Sequence, residues 1–519
     1  ILKKRPLLFD GGMGTYYKAA PGQECEQANL LDPEGILAVH RAYLAAGADA
    51  VKTNTFGLPR MASARTQILN SMDIGLYSVF GQYDRKLLEE YDLFALDGSM
   101  GGGQLNLAKI CDNLESYMKP VLKQNSQKLE LHQSGLTGYR LLTDECGEVF
   151  YQQIVQYMQE TLGSQGVQLL LNKMSDRERK TEEADLKAKQ AETGGSIDRY
   201  DSEMNQASQK SQQAAQEAEN RQQQEGQIST QPAPTQPQAD NPISIIKRIM
   251  KMGILELVLP PGREISTRTV SKDTMVSGRQ LQQGMEMPDG VTADSSYTSG
   301  VLFQQYLMNH LGNYTDPSKE SLAYQMEYIF GGRDNDIDNL KSVASKLLFI
   351  REGVNFACLM ADNVKRTEAQ ALAAAIASGF LVPPAAVVIE SALLLCWAFA
   401  ESVLDVRELF AGGKIPLVKT SADWQISLSN LSSLMEGLDS MRKNNEHGLS
   451  YEDYLQVLIL PVSKEKKVMR AMDMIEDAIR KKGRANFYMD SCVVALEAFA
   501  EVKANRKKEF QVIRQYCYE

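Results

Sequence analysis

The chain is poor in the residues that build metal centres and disulfide frameworks. Its seven cysteines stand singly, with no CxxC and no adjacent pair, and its four histidines, His40, His132, His310 and His447, are far apart. An odd, unpatterned set of cysteines argues against a disulfide scaffold and against a structural zinc site. Basic excess is missing as well: the net charge is −10 and the pI about 5.3, so no electrostatic footprint for nucleic acid exists. The opening residues are too glycine-rich, at LLFDGGMG, for the apolar core of a secretion signal. No uninterrupted apolar run reaches the ~20 residues that span a bilayer.

What the chain does have is length and apolar content. Its 519 residues, 43% of them hydrophobic, suffice for a sizeable core and roughly three domains. The stretch from Asp336 to Ala411 organises the rest. Leu340, Val343, Leu347, Ile350, Val354 and Cys358 recur at spacings of three and four, one face of a helix. From Ala371 to Ala400 there is one charge, Glu390, and Pro383-Pro384 divides the run into two arms of roughly 12 and 16 residues. Two apolar helices folded back on each other, buried in a soluble body, are expected.

In chain order, Pro6 to Phe9 predicts a short strand and Asp10 to Thr15 a glycine-rich turn. Asp32-Pro33 opens a helix that Gly47 ends, and Ala48 to Thr53 predicts a second strand. Strand, helix, strand is a βαβ unit. A helix then carries Ile68, Met72, Leu76, Val79 and Phe80. Asp97 to Gly103 is a glycine-rich loop without the Gly-Lys-Ser/Thr of a phosphate-binding loop, and is read as a turn after a short buried strand. Thr143 to Gly163 predicts an amphipathic helix. Residues 176 to 241 are low-complexity, with a mixed-charge run from Arg177 to Lys189 and a Gln- and Pro-rich linker after it, read as a solvated spacer. Pro242 to Leu259 predicts a helix, and Pro260 to Tyr297 has no regular pattern. Ser450 to Asp453 predicts a capping box, and Val468 to Ile479 and Met489 to Val502 predict two more amphipathic helices. The fold class expected is α+β, a predominantly helical body with short strands, preceded by an N-terminal βαβ fragment of TIM-barrel type. The parts are 1–57, 58–175, a linker at 176–241, and a helical core domain at 242–519.

Two stretches resemble known families. FDGGMGT, followed by CEQANLLDPEGILAVHRAYLAAGADAVKTNTFG, is similar to the opening of the homocysteine S-methyltransferase barrel. The resemblance implies that Asp10, Gly11 and Gly12 contact homocysteine, and that three thiolates, one lone and one Cys-Cys pair, hold a zinc ion. No Cys-Cys occurs here, Cys25 stands outside those ligand positions, and nothing past Gly57 continues the barrel. No catalytic residue, metal or cofactor is therefore assigned. Residues 61 to 519, through segments such as LFQQYLMNHLGNY, LLFIREGVNFACLM and GLSYEDYLQVLIL, resemble a bacterial family, domain of unknown function 5702, found alongside Tad (tight adherence) pilus components. That resemblance implies an extracytoplasmic envelope protein with pilus or envelope proteins as partners. It also implies an apolar anchor helix before Arg60, where this chain has the methyltransferase-like fragment instead. The two resemblances meet near Gly57 to Arg60, as in a chimera. The reading is a non-catalytic envelope protein. A homocysteine S-methyltransferase and a cytoplasmic interaction scaffold stay open as alternatives.

Overall fold

The computed structural model describes residues 8, 17–18, 28–52, 58–124, 128–190, 241–285, 287, 291–379, 385–438, 447–504 and 508–518, with single positions between 200 and 213. Helix α1, Pro33–Ala45, begins as the sequence requires: the Asp32 carboxylate accepts the Gly35 N–H at 3.0 Å, and Pro33 fills the first turn. Gly47, at φ 97°, turns the chain out. The flanking parallel strands expected of a TIM-barrel-type fragment are a different matter. The Leu8 carbonyl accepts the N–H groups of Asp49 and Ala50 at 2.7 and 3.3 Å, but no strand is assigned there among the described residues. Among the described residues every assigned strand pair is antiparallel and belongs to a separate sheet. The helical body is as expected; of the barrel-type fragment, α1 and the Leu8 contacts lie among the described residues, and most of its first predicted strand and the end of its second lie outside them.

Helix α2, Leu58–Phe80, buries Ile68, Met72, Leu76, Val79 and Phe80. After the short α3 (Arg85–Tyr91) and β1 (Leu96–Asp97) comes α4, Leu107–Lys123, whose stripe of Ile110, Leu114, Met118 and Leu122 repeats every fourth residue. Strand β2 is Leu129–Leu141. The next helical span, α5 (Asp144–Gln190), is broken by left-handed backbone at Glu145, Cys146 and Gly147 and again at Gly163. Gly163 thus ends the expected helix, but a second helical segment starts directly after it. That segment carries the mixed-charge run back to the core, where buried Arg177 donates to Gln456 Oε1 at 2.7 Å and pairs with Asp453.

Helices α6 (Pro242–Met250) and α7 (Ile254–Val258) divide at Gly253 the single helix expected over 242–259. Next come α8 (Tyr297–His310), α9 (Gln325–Gly331), α10 (Asp336–Ala361), α11 (Asn363–Gly379) and α12 (Ala386–Phe410). The Pro383-Pro384 pair lies outside the described residues. Helix α12 packs on both α10 and α11, and nearly every side chain from Ile389 to Phe410 is buried. By length and composition α12 could cross a membrane, but 78% of its most apolar stretch is buried inside the protein. It is the core helix of the folded body. Helices α13 (Tyr451–Ile459), with the Ser450–Asp453 capping box, and α14 (Lys464–Lys481) complete the layer.

The chain ends in β3 (Cys492–Ala504) and β4 (Lys508–Cys517). A helix was expected over 489–502, and the strand is a correction. Val493, Leu496 and Ala500 fit a helical stripe, but from Leu496 onward burial alternates. Ala498, Ala500, Val502 and Ala504 point inward, while Glu497, Phe499, Glu501 and Lys503 are half-exposed. Non-local pairing settles the ambiguity. Strand β3 is central, with β2 on one side (Leu129↔Ala504 to Leu141↔Val493) and β4 on the other (Ala495↔Cys517 to Ala504↔Lys508). Helices α2 and α4 cover one face, forming a second core with Leu496, Ala498, Val502 and Val512. Segment 58–141 thus shares its sheet with the C-terminal strands.

Candidate functional site

Asp10, Gly11 and Gly12, the substrate-binding residues implied by the methyltransferase resemblance, lie outside the described residues. Among the described residues no three His, Cys, Asp or Glu side chains come together as a metal site, and the six described cysteines are free thiols.

The glycine-rich loop after β1 borders a cleft of about 680 Å³, shared with Asp84, Lys109, Asn113 and Arg484. Its backbone donors point to its own carboxylate. Asp97 Oδ1 accepts the Ser99 N–H at 3.0 Å and its hydroxyl at 2.6 Å, and Oδ2 accepts the Gly101 N–H at 3.2 Å and Arg484 Nη2 at 3.0 Å. A phosphate cradle needs those N–H groups turned outward. Here they close a turn, and Arg484 ties it to Asp84 at the start of α3.

The dominant polar feature is buried. On α12, Glu401 and Asp405 lie one turn apart in a largely apolar helix; Arg351 and Asn355 on α10 face them, and Lys419 enters from the following loop. All five are buried. Arg351 Nε donates to Asp405 Oδ2 at 2.9 Å and Nη1 to the Leu417 carbonyl at 2.8 Å, while Asn355 Nδ2 donates to Asp405 Oδ2 at 2.9 Å. Lys419 Nζ pairs with Glu401 and lies 2.5 Å from Asp405 Oδ1. Glu401 also accepts the N–H groups of Gln425 and Ile426 at 3.0 and 3.1 Å. Two cations and two anions cancel, which makes the burial tolerable. Burial pushes the Asp405 carboxyl upward, but Lys419 and Arg351 together hold it below the ordinary range. Glu401 is raised, since burial and the Asp405 charge outweigh Lys419. The cluster fastens residues 416–426 across two apolar helices. On the outer side of Lys419 a cleft of about 420 Å³ opens, walled by Val354, Cys358 and Trp424.

Further buried carboxylates hold Ser266, Ser277 and Arg279, from the stretch 260–297 that lacks a regular sequence pattern, and the neighbouring loop. Asp473 accepts the Ser277 N–H at 2.8 Å and the Tyr328 hydroxyl at 2.7 Å. Glu476 receives both terminal nitrogens of Arg279 at 2.6 and 2.8 Å. Arg279 also reaches Asp490 at 2.6 Å. Burial raises both the Asp473 and the Glu476 carboxyl, against these donors. Asp336 takes the N–H groups of Ala323 and Tyr324 at 3.0 and 3.1 Å and the Ser266 hydroxyl. Glu327 accepts the Tyr451 hydroxyl and the Tyr314 N–H, yet full burial pushes its carboxyl up to about 7.

None of these residues was singled out from the sequence. The detectable signal was Glu401 and Asp405 spaced by four in an apolar helix, which demands cationic partners elsewhere. The partners, at positions 351 and 419, could not be chosen without the fold.

The arrangement is one of anions turned inward to bind loops, and the matching family spans it. The model of the family of unknown function DUF5702 matches residues 233–504, more than half of the chain. The chain belongs to the DUF5702 family. In this DUF5702 protein the match runs from just before α6 to the end of β3, and so includes the ion clusters on α12 and α14. A second model, homocysteine S-methyltransferase, matches residues 7–174. It reaches well past Gly57, through β1, α4, β2 and into α5, where the strands pair antiparallel with β3 rather than in a parallel barrel. No solved structure matches the chain.

Proposed function

We propose that this DUF5702 protein is a non-catalytic cell-envelope protein associated with Tad-type pilus assembly or surface attachment, working through protein partners. Membership of the family, over the segment that holds the central core, carries the reading. The inward-facing carboxylates support it, since each is engaged in holding loops. In a bacterium whose Tad locus encodes the protein, deleting its gene should reduce pilus-dependent attachment, and whole-cell protease should digest a tagged copy. Unchanged attachment together with a protected tag would overturn the proposal.

One observation favours a second reading, the cytoplasmic scaffold. Six described cysteines are free thiols, and Cys396 and Cys492 are completely buried in that state, as suits a reducing compartment. Protection of the tag in whole cells combined with digestion after lysis would select it. The methyltransferase reading rests on the match at residues 7–174. It requires a zinc ion on three thiolates, and stoichiometric zinc with homocysteine methylation by the purified protein would establish it.

A further inference from the structure

The two oxygens of the Asp405 carboxyl face different neighbours. Oδ2 accepts Arg351 Nε and Asn355 Nδ2, each at 2.9 Å, and Arg351 Nη2 lies 2.8 Å away. Oδ1 has no hydrogen-bond partner among the described residues, and what stands against it is Lys419 Nζ, at 2.5 Å. The same Nζ touches Glu401 Oε1. The side chains of Arg351, Glu401, Asp405 and Lys419 are all closed to solvent.

An amine held against a carboxyl, with a second carboxyl beside both, has the parts of an amide-forming site. Fixing the two reactants in contact replaces a bimolecular encounter by a unimolecular step. The N–H donors gathered on Oδ2 are placed where negative charge develops when a nucleophile adds to the carboxyl carbon. Glu401 is in reach of the nitrogen that must lose protons, and burial followed by the Asp405 charge raises its carboxyl, so it takes up a proton more readily than an ordinary glutamate. The dry surroundings also favour a neutral amine and a neutral acid over two separated charges. Lys419 supplies part of the charge that holds the Asp405 carboxyl low, and that hold goes when its proton moves.

We propose that Lys419 and Asp405 join in an intramolecular isopeptide bond, with Glu401 as the proton relay and Arg351 and Asn355 as the oxyanion donors. One proton passes from Nζ to Oδ1, leaving a neutral amine and a neutral carboxylic acid. The Nζ lone pair attacks Cγ, and the charge gathers on Oδ2 under Arg351 and Asn355. Glu401 takes a second proton from Nζ and returns it to Oδ1. The Cγ–Oδ1 bond then breaks, the Nζ–Cγ bond remains as an amide, and one water leaves, with no change of oxidation state. Arg351 and Glu401 stay behind as one cation and one anion, so the core remains neutral. The bond ties the segment after α12 to the helix itself, in a protein whose six described cysteines are free thiols. Reducing agents leave such a staple intact.

The test is the intact mass of the full-length wild-type protein under denaturing conditions, followed by tryptic mapping. Chains carrying the bond should be lighter by one water molecule. Arg407 and Lys414 lie between the two residues, so trypsin places Asp405 and Lys419 on separate peptides. These should be recovered joined, with no cut after Lys419. Lys419→Met should restore the full mass. Asp405→Asn, nearly the same in shape, should still cross-link, with ammonia leaving in place of water. Glu401→Gln should slow the reaction by at least about 100-fold, read from the unlinked fraction over time after synthesis. Wild type at full mass, with the two residues on separate peptides, overturns the proposal. So does a loss of water that persists in Lys419→Met, because that is the signature of a cyclised aspartate. The deciding measurement is made on the wild type, and it stands even where a variant fails to fold.

Discussion

Arg351 Nη2 lies 2.8 Å from Asp405 Oδ2, and both side chains are fully buried between α10 and α12. The pair sits beside Lys419 and Glu401 in a cluster whose formal charges cancel. Removing one member leaves the others uncompensated in a medium that solvates them poorly. Arg351→Met should therefore destabilise the protein by about 3–5 kcal/mol. The double variant Arg351→Met/Asp405→Leu should be less destabilised than the two single effects added together. Urea unfolding of the four proteins in a double-mutant cycle measures the coupling, and strict additivity would show that the pair is not energetically linked.

Glu327 gives a stability that depends on pH. Its folded carboxyl titrates at about 7 against an ordinary 4.5, because burial raises it more than Tyr451 and Tyr314 lower it. A raised carboxyl favours the protonated fold. The contribution is fully present below about pH 4.5, is lost as pH rises through about 7, and is flat above that. At 1.36 kcal/mol per unit the loss is ~3 kcal/mol. Wild type should thus lose about that much stability relative to Glu327→Gln between pH 4 and pH 8. Parallel stability curves for the two proteins would refute the assignment.

Leu394 on α12 is 1% exposed, whereas Gln213 is exposed. Leu394→Ala should cost ~2–5 kcal/mol through lost burial and a cavity. Gln213→Ala should change stability by less than about 0.5 kcal/mol. Similar denaturation midpoints for the two variants would show that α12 is not the centre of the core.

Around α1, apolar side chains face solvent: Leu30 is 88% exposed and Leu44 48%. A segment that leaves such surface uncovered contributes little to the rest. Deleting residues 1–57 should shift the unfolding free energy of the remainder by no more than about 1 kcal/mol, read from urea midpoints and slopes. A truncated chain that fails to fold would show instead that the N-terminal segment is integral.

The sequence alone determined the helices whose signals are local. Period-four stripes defined α2 and α10, Asp32 with Pro33 fixed the start of α1, and Ser450 with Asp453 the start of α13, because capping and amphipathic periodicity are written within a few consecutive residues. Its kinship with DUF5702 was legible for the same reason, through motifs in order along the chain. Tertiary structure decided the rest. Residues 492–504 carry both a helical stripe and a strand alternation, and only β2 and β4, one of them some 360 residues away, select the strand. Segment 260–297 has no periodic pattern of its own, and Asp336, Asp473 and Glu476 from other elements hold its Ser266, Ser277 and Arg279. Arg351, Glu401, Asp405 and Lys419 look like scattered charges until α10 and α12 bring them within hydrogen-bonding distance. Burial then makes each one depend on the others, because a lone charge there would have neither water nor a counter-ion.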